Sequence, residues 1–475
     1  MFRFAAALVA STLLAGVAHA APAKAPADTG EAQFRSLYKE LVETNTTFSA
    51  GDCTLAAQRM ADRLKTAGFA DSQLTVFTPP GRPKDGGLVA VFPGKDPKAK
   101  AILLLAHIDV VEAKREDWER DPFKLVEENG YFYARGASDD KAQASIWTDL
   151  FVRFKREGYQ PRRTLKVALT CGEEGGGHVN GARWLAENRR DLVDAAFGLN
   201  EGAGGALDAP GGKRVVHNIQ AGEKSSFSYR LEATNPGGHS SRPVPDNAIY
   251  QLAKAVDRIA AYGFPVQMND TTRAYFTRMA GVVGGERGAA MKAIVANPGD
   301  KAADALLSRD ANDNAILRTT CVATQIQGGH AQNALPQRAT ATINCRIFPG
   351  ETAGQVRDTL VKVVGDAKVS VSTVPLDRVD AKPAPPLTPN VLGPIEKVSQ
   401  AMWPGVPVVP ILQAGGTDAP AFIAVGIPVY GVSGLFYDPD LGRLHGLNER
   451  IGVTSLMEGR EFSYRLVKMY AEAKD

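Results

Sequence analysis

Short apolar runs alternate along this chain with stretches of helical periodicity, and no other feature restricts the fold so strongly. AILLLA (101–106), LKVALTC (165–171) and AAFGL (195–199) are too short to be helices and lack a regular polar face. Strands covered on both sides read this way. Ahead of these runs, TLAAQRMADRLKTA (54–67) sets Met60, Leu64 and Ala67 on one face and stops at Gly68. In 141–157, Trp147, Leu150, Phe151 and Phe154 fall at i, i+3, i+4 and i+7, with Gly158 as the terminator. Strands alternating with helices of this length predict an α/β layer built on a mostly parallel sheet.

The pattern changes near residue 220. Phe227, Tyr229, Leu231 and Ala233 alternate with polar residues, as in a strand with one wet face. A helix carrying Ile249, Leu252, Val256 and Ile259 follows. After an insertion at about 265–317 come strands around 318–328 and 339–348, a helix with Val356, Leu360 and Val363, and a strand at 369–373. The order β-α-β-β-α-β predicts a ferredoxin-like α+β domain. Beyond Pro-rich AKPAPPLTP (381–389), the buried pattern resumes through VPVVPIL and IPVYGV to a last helix with Phe462, Leu466 and Met469. With 475 residues, more than one core is required. The expected division is one α/β domain in two parts, 28–217 and 381–475, interrupted by a smaller domain at 218–380.

Residues 1–20 read as a signal peptide: Arg3, an uncharged stretch from Phe4 to Ala18, then Ala18-His19-Ala20 as the cleavage site. A buried helix or a membrane anchor is the alternative, but the stretch is shorter than the ~20 residues a span needs. The expectation is a periplasmic or secreted protein, cleaved near Ala20 and without a membrane span. In an oxidising compartment, Cys321 and Cys345, nearly equidistant from the centre of GGHAQNALPQ, are cross-strand neighbours of a hairpin and candidates for a disulfide. The alternative is two unlinked core cysteines. Cys53 and Cys171 are expected to be free, buried thiols. Charges sum to +3 without long runs of one sign, which leaves no electrostatic footprint for nucleic acid.

The chemistry lies where the buried strands stop. AILLLA runs into His107-Ile108-Asp109, LKVALTC into Gly172-Glu173-Glu174-Gly175, and the 195–199 run into Asn200-Glu201-Gly202. Ligands of open α/β sheets bind beyond the carboxyl ends of strands, so four acids and a histidine collect at one rim. Unpaired, such carboxylates raise one another's pKa values, and a divalent cation removes the conflict. Taken singly, His-x-Asp is more often a satisfied pair, Glu-Glu a solvated face, and Asp139-Asp140 a helix cap. Asp109, two residues along the chain from His107, shares its side and can hold its ring.

HIDVV, YARGASDDK, CGEEGGG, LNEG, NPGGHSS, NALP, CRIFPG, GGTDAP and LHGLNE occur in this order. Together they resemble the dinuclear zinc peptidases that include glutamate carboxypeptidase, aminoacylase, carnosine dipeptidases and succinyl-diaminopimelate desuccinylase, over roughly residues 35 to 470. The resemblance implies that the 218–380 domain is a lid and dimerisation domain. It implies that Asp139 bridges two metals, one completed by His107 and Glu201, the other by Glu174 and His445. Glu201 stands where many members carry aspartate. Glu173 would be the general base acting on a bridging water, and the Asp139–Asp140 peptide would be cis. Oxygen and imidazole donors suit two zinc ions per chain, with cobalt or manganese as substitutes.

By the same resemblance, His239 donates to the scissile carbonyl from the partner subunit of a homodimer; the alternative is a turn histidine capped by Ser240 and Ser241. Arg346, Asn333, Gly415, Gly416 and Thr417 would hold a free carboxylate, for which the planar fork of arginine is suited; a surface ion pair is the alternative for Arg346. His330 lines the pocket or is structural, and His178 and His217 are structural or exposed. The expected function is a metallopeptidase, carboxypeptidase- or dipeptidase-like, cleaving an amide next to a residue with a free carboxylate. The alternatives are an N-acyl-amino-acid amidohydrolase, or a non-catalytic periplasmic binding protein. The last does not need Glu173.

Overall fold

The computed structural model of the chain describes residues 30–374 and 382–474; the signal-peptide reading at 1–20 lies outside them. Among the described residues, the main sheet has ten strands. At its centre Leu165–Thr170, Ile102–His107, Phe197–Asn200 and Val429–Gly431 run parallel, and Gly87–Phe92 and Leu74–Phe77 extend one side antiparallel. Every residue of Ile102–His107 is buried, which explains its unbroken apolar run. Register places His107 opposite Thr170 and Leu104 opposite Leu199. The carboxyl ends of three strands therefore lie side by side, and the loops leaving them are gathered at one rim.

Helices cover this sheet. Cys53–Thr66 begins at Asp52, whose side chain accepts the Leu55 N–H at 2.9 Å, and it buries Ala56, Ala57, Met60, Ala61 and Leu64. In Lys141–Arg156, Trp147, Leu150, Phe151 and Phe154 are buried as their spacing predicts. Full burial of such side chains stabilises by about 1.5–3 kcal/mol each. The Trp147 indole N–H also donates to the Leu105 carbonyl at 2.9 Å, fixing helix to strand. Among the described residues, no helix is long and apolar enough to cross a membrane.

A second sheet is antiparallel, with Ser225–Thr234 between Arg338–Ile347 and Val369–Thr373, and Thr320–Gly328 at the edge beside Arg338–Ile347. That is the strand order of a ferredoxin-like unit. Ala248–Ala261 and Ala353–Val364 pack on it through Leu252, Ile259, Val356 and Leu360. Residues 265–317, for which the sequence suggests no structure, hold four helices: Asp270–Val283, Gly285–Ala296, Lys301–Leu307 and Ala311–Leu317. Phe276, Met291 and Ile294 from this block pack with Val216, Val409 and Leu412 of the main sheet. At the crossing between the sheets, the buried Lys224 ammonium donates to the carbonyls of Ala315 (2.9 Å) and Arg318 (2.8 Å) and to the Thr320 hydroxyl (3.0 Å).

Cys321 and Cys345 face each other across the register and are joined by a disulfide. Cys53 and Cys171, expected as free thiols, are also joined. The reason is tertiary: the first residue of one helix meets the residue just past a central strand, 118 positions on.

Candidate metal centre

Gly172 makes the turn out of the second central strand at φ +90°, and a Cβ there would lie 2.4 Å from the Val179 carbonyl oxygen. Glycine is therefore required where the chain doubles back beside Glu173. Gly202, at φ +101°, does the same after Glu201, with the Gln220 side chain pressed against it.

Two groups able to hold a metal ion share one carboxylate: His107, Asp139 and Glu201, and Asp139, Glu174 and His445. His107 Nε2 lies 3.0 Å from Asp139 Oδ1 and 3.8 Å from Glu201 Oε2. His445 Nε2 lies 3.1 Å from Asp139 Oδ2 and 3.0 Å from Glu174. The two oxygens of Asp139 thus face opposite groups. Donors about 2.0–2.1 Å from one tetrahedral ion stand about 3.3 Å apart, close to these separations. The Asp139–Asp140 peptide is cis. A third cluster, Cys53, Cys171 and His178, offers no thiolate because its sulfurs are bonded to each other.

Asp109 is fully buried and does two things. Its backbone carbonyl accepts from His107 Nδ1–H at 3.1 Å, which leaves Nε2 free as a donor atom. Its carboxylate accepts the backbone N–H groups of Glu173 (3.3 Å) and Glu174 (3.1 Å), so it sets the loop that carries both acids. Burial drives the Glu173 carboxyl well above its ordinary pKa, against His107 and reinforced by Asp418, Glu174 and Asp109. Glu201 is raised in the same way. Hydrogen bonds to Asp139 and Glu174 raise His445 to about 10. So many acids pressed together with two imidazoles make a charge imbalance that divalent cations would relieve, and the donor set fits them.

The remaining candidates form two groups. Arg346 Nη1 donates to the Ala414 carbonyl at 3.4 Å, beside Gly415 and Gly416. Thr417 in the same loop is held by Glu223, its hydroxyl donating at 2.7 Å. His239 and Asn333 are both exposed and adjoin each other through the short pairing of Gly238–His239 with Ala334–Leu335. Ser240 N–H donates to the Asn333 carbonyl, and the His239 ring contacts the Ser241 hydroxyl at 2.7 Å. Among the described residues, no hydrogen bond or ion pair links His239 or Asn333 to the acidic cluster. His330 is exposed in a turn. His178 is held by Asp85 at 2.8 Å, and His217 is buried.

Three residues of this region escape sequence reading. Glu449 is fully buried and accepts the backbone N–H groups of Gly136, Ser138 and Asp139. Glu223 is raised to about 8 by burial. Lys141 is buried and lowered to about 7 by burial, its ammonium donating to the Thr44 carbonyl at 2.7 Å. The only signal for Glu449 was its place in LHGLNE, four residues after His445.

Residues 103–469 match the model of peptidase family M20/M25/M40. The chain is 30% identical over 383 residues to the N-fatty-acyl-amino acid synthase/hydrolase PM20D1 of Homo sapiens, covering 79% of this chain and 75% of that protein. It is 26% identical to aminoacylase-1A of Rattus norvegicus over 81% of this chain and 83% of that one. Its fold is similar to the M20 family metallo-carboxypeptidase Sso-CP2 from Sulfolobus solfataricus, with a TM-score of 0.66 at 19% identity, covering 92% and 99% of the two chains. With two donor groups meeting on one carboxylate at the rim of a largely parallel sheet, and with these matches, this chain belongs to peptidase family M20/M25/M40 as one of its hydrolases.

Proposed function

We propose that the enzyme hydrolyses the amide bond next to a residue with a free carboxylate, in an N-acyl amino acid or a short peptide. The observation that carries this reading is the sharing of Asp139 between two donor groups with Glu173 beside them. Asp139, His107 and Glu201 would hold one ion, and Asp139, Glu174 and His445 the other. Zinc is the ion best suited to these donors, with cobalt or manganese able to replace it. When bound, such a pair supplies Lewis acidity and lowers the pKa of water towards ~7. Glu173 takes a proton from the attacking water and passes it to the leaving amine. Asp109 keeps His107 in the right tautomer and the Glu173 loop in place. Arg346, Asn333 and the Gly415–Gly416–Thr417 loop receive the substrate carboxylate, with Glu223 fixing Thr417.

Residues 218–380 act as the lid, and His239 serves the site of a partner subunit, donating to the scissile carbonyl oxygen. Support for this arrangement comes from its exposure and from the long uncovered edge strand Thr320–Gly328, whose Val322 and Ile326 face outward. The protein is proposed to act in the periplasm or outside the cell. Of the two substrate classes, the N-acyl amino acid is favoured by the name of the relative at 30% identity. Panels of N-acyl amino acids and dipeptides, read by mass spectrometry, test the reading. Cleavage confined to substrates with a free α-carboxylate is expected, and equal cleavage of their amides would refute it.

A further inference from the structure

We propose that Arg135 and Glu449 form a clasp that sets the metal affinity of the position bounded by Asp139, Glu174 and His445 far more strongly than that of the position bounded by Asp139, His107 and Glu201. The inference rests on the dinuclear reading above. The two positions are built differently. His107 ends one buried strand and Glu201 follows another, in adjacent central strands whose register is fixed by backbone pairing. Asp109 locks the His107 ring from behind. That half of the centre is part of the sheet.

His445 has no such support. Its side chain is 55% exposed and it lies on a loop after a single short turn, Leu441–Arg443. Leu441, Arg443, His445 and Asn448 all have φ between 53° and 59°, a region that residues with a Cβ adopt reluctantly. Such a loop keeps its shape only if something outside it holds it.

Arg450 braces its start through Asp438 and Asp440, Glu119 N–H reaches Asn448, and Arg135 holds it at His445 itself. Its Nη2 donates to the carbonyls of His445 (3.3 Å) and Gly446 (3.0 Å), and its Nη1 donates to Glu449 Oε2 at 2.7 Å. The Glu449 carboxylate in turn accepts from Gly136 N (3.0 Å), Ser138 N (2.9 Å) and Asp139 N (3.0 Å). Arg135 is 3% exposed and Glu449 0%, so both charges are out of water and depend on each other. Antiparallel pairing of Arg450–Gly452 with Tyr131–Tyr133 continues the contact between the two segments. One buried ion pair therefore sets where Asp139 stands relative to His445. Groups that hydrogen-bond a metal's ligands typically change its affinity about 10–100-fold when removed, and the clasp acts one step further back, through the backbone that carries two of the ligands. Arg135 and Glu449 are positioning residues, since neither reaches substrate.

The test is a Co²⁺ titration of the full chain, followed by visible absorption, with bound metal counted after dialysis. His445→Ala identifies the equilibrium that belongs to its position. Wild type is expected to take up two ions per chain. Arg135→Met is expected to weaken the His445-dependent equilibrium about 10–100-fold and the other, which shares only Asp139 with it, several-fold less. Arg135→Lys keeps a charge opposite Glu449 but cannot span both carbonyls, so it should show the same selectivity and serves if the Met variant fails to fold. Equal weakening of both positions, or of neither, in a variant with a cooperative melt would overturn the clasp. A merely structural role would lower the melting temperature and weaken both positions alike. Uptake of fewer than two ions by wild type would instead overturn the dinuclear reading itself, so the two failures are distinguishable.

Discussion

His217 sits in an aromatic cage of Trp403, Phe436 and Phe462, with Nε2–H donating to the Ser433 carbonyl at 2.6 Å and Nδ1 facing the Ser399 hydroxyl at 2.8 Å. Burial lowers its pKa to about 4. The unfolded chain takes up this proton below about pH 6.5 and the folded chain only near 4, so its contribution is complete above 6.5 and is lost as pH falls through that window. The loss amounts to about 3 kcal/mol. His217→Asn should be less stable at neutral pH yet show a shallower decline in unfolding free energy between pH 6.5 and 4. Equal slopes in denaturant titrations would contradict this. At Glu173 the prediction concerns rate: Glu173→Gln should lower kcat by about 10²–10⁴-fold, the range of general acid–base catalysis, with metal content unchanged. Near-wild-type turnover would remove Glu173 from the role of base.

Pairing of elements explains what the sequence could and could not reveal. The acids after 101–106, 165–171 and 195–199 were legible because a buried strand is recognisable from its own residues and its carboxyl end is where ligands gather. The Cys53–Cys171 bond was not legible, since it depends on a helix start meeting a strand end across layers. Gly285–Ala296, rich in alanine and glycine, shows little apolar periodicity, so its burial of Met291 and Ile294 had no signature. Glu449 and Arg135 lie within LHGLNE and YARGASDDK, but their role was not legible there, because it is given by which backbone they reach. Closing 118 residues, the Cys53–Cys171 disulfide should stabilise the chain by about 2–5 kcal/mol. The double variant Cys53→Ser/Cys171→Ser should show that loss in urea unfolding, and further reduction should then act only through Cys321–Cys345. No difference from wild type under oxidising conditions would refute the assignment.

Taken as a whole molecule, the chain presents an exposed His239 that, among the described residues, makes no hydrogen bond or ion pair to its own acidic cluster, which fits service to a second copy. If so, mixing Glu173→Gln chains with His239→Ala chains should restore activity. Random exchange makes half of the dimers mixed, each with one intact site, so about one quarter of the wild-type rate is expected. No recovery despite exchange verified by native mass spectrometry would exclude the trans arrangement. Lys224 bears on how such an assembly moves. Its desolvated ammonium roots the four-stranded sheet to the helices at 270–317, and those helices are packed on the ten-stranded sheet. The crossing is therefore a bracket rather than a pivot. Swinging there would strip three acceptors from a buried cation, so the angle at which the two sheets meet is braced from within by a single side chain.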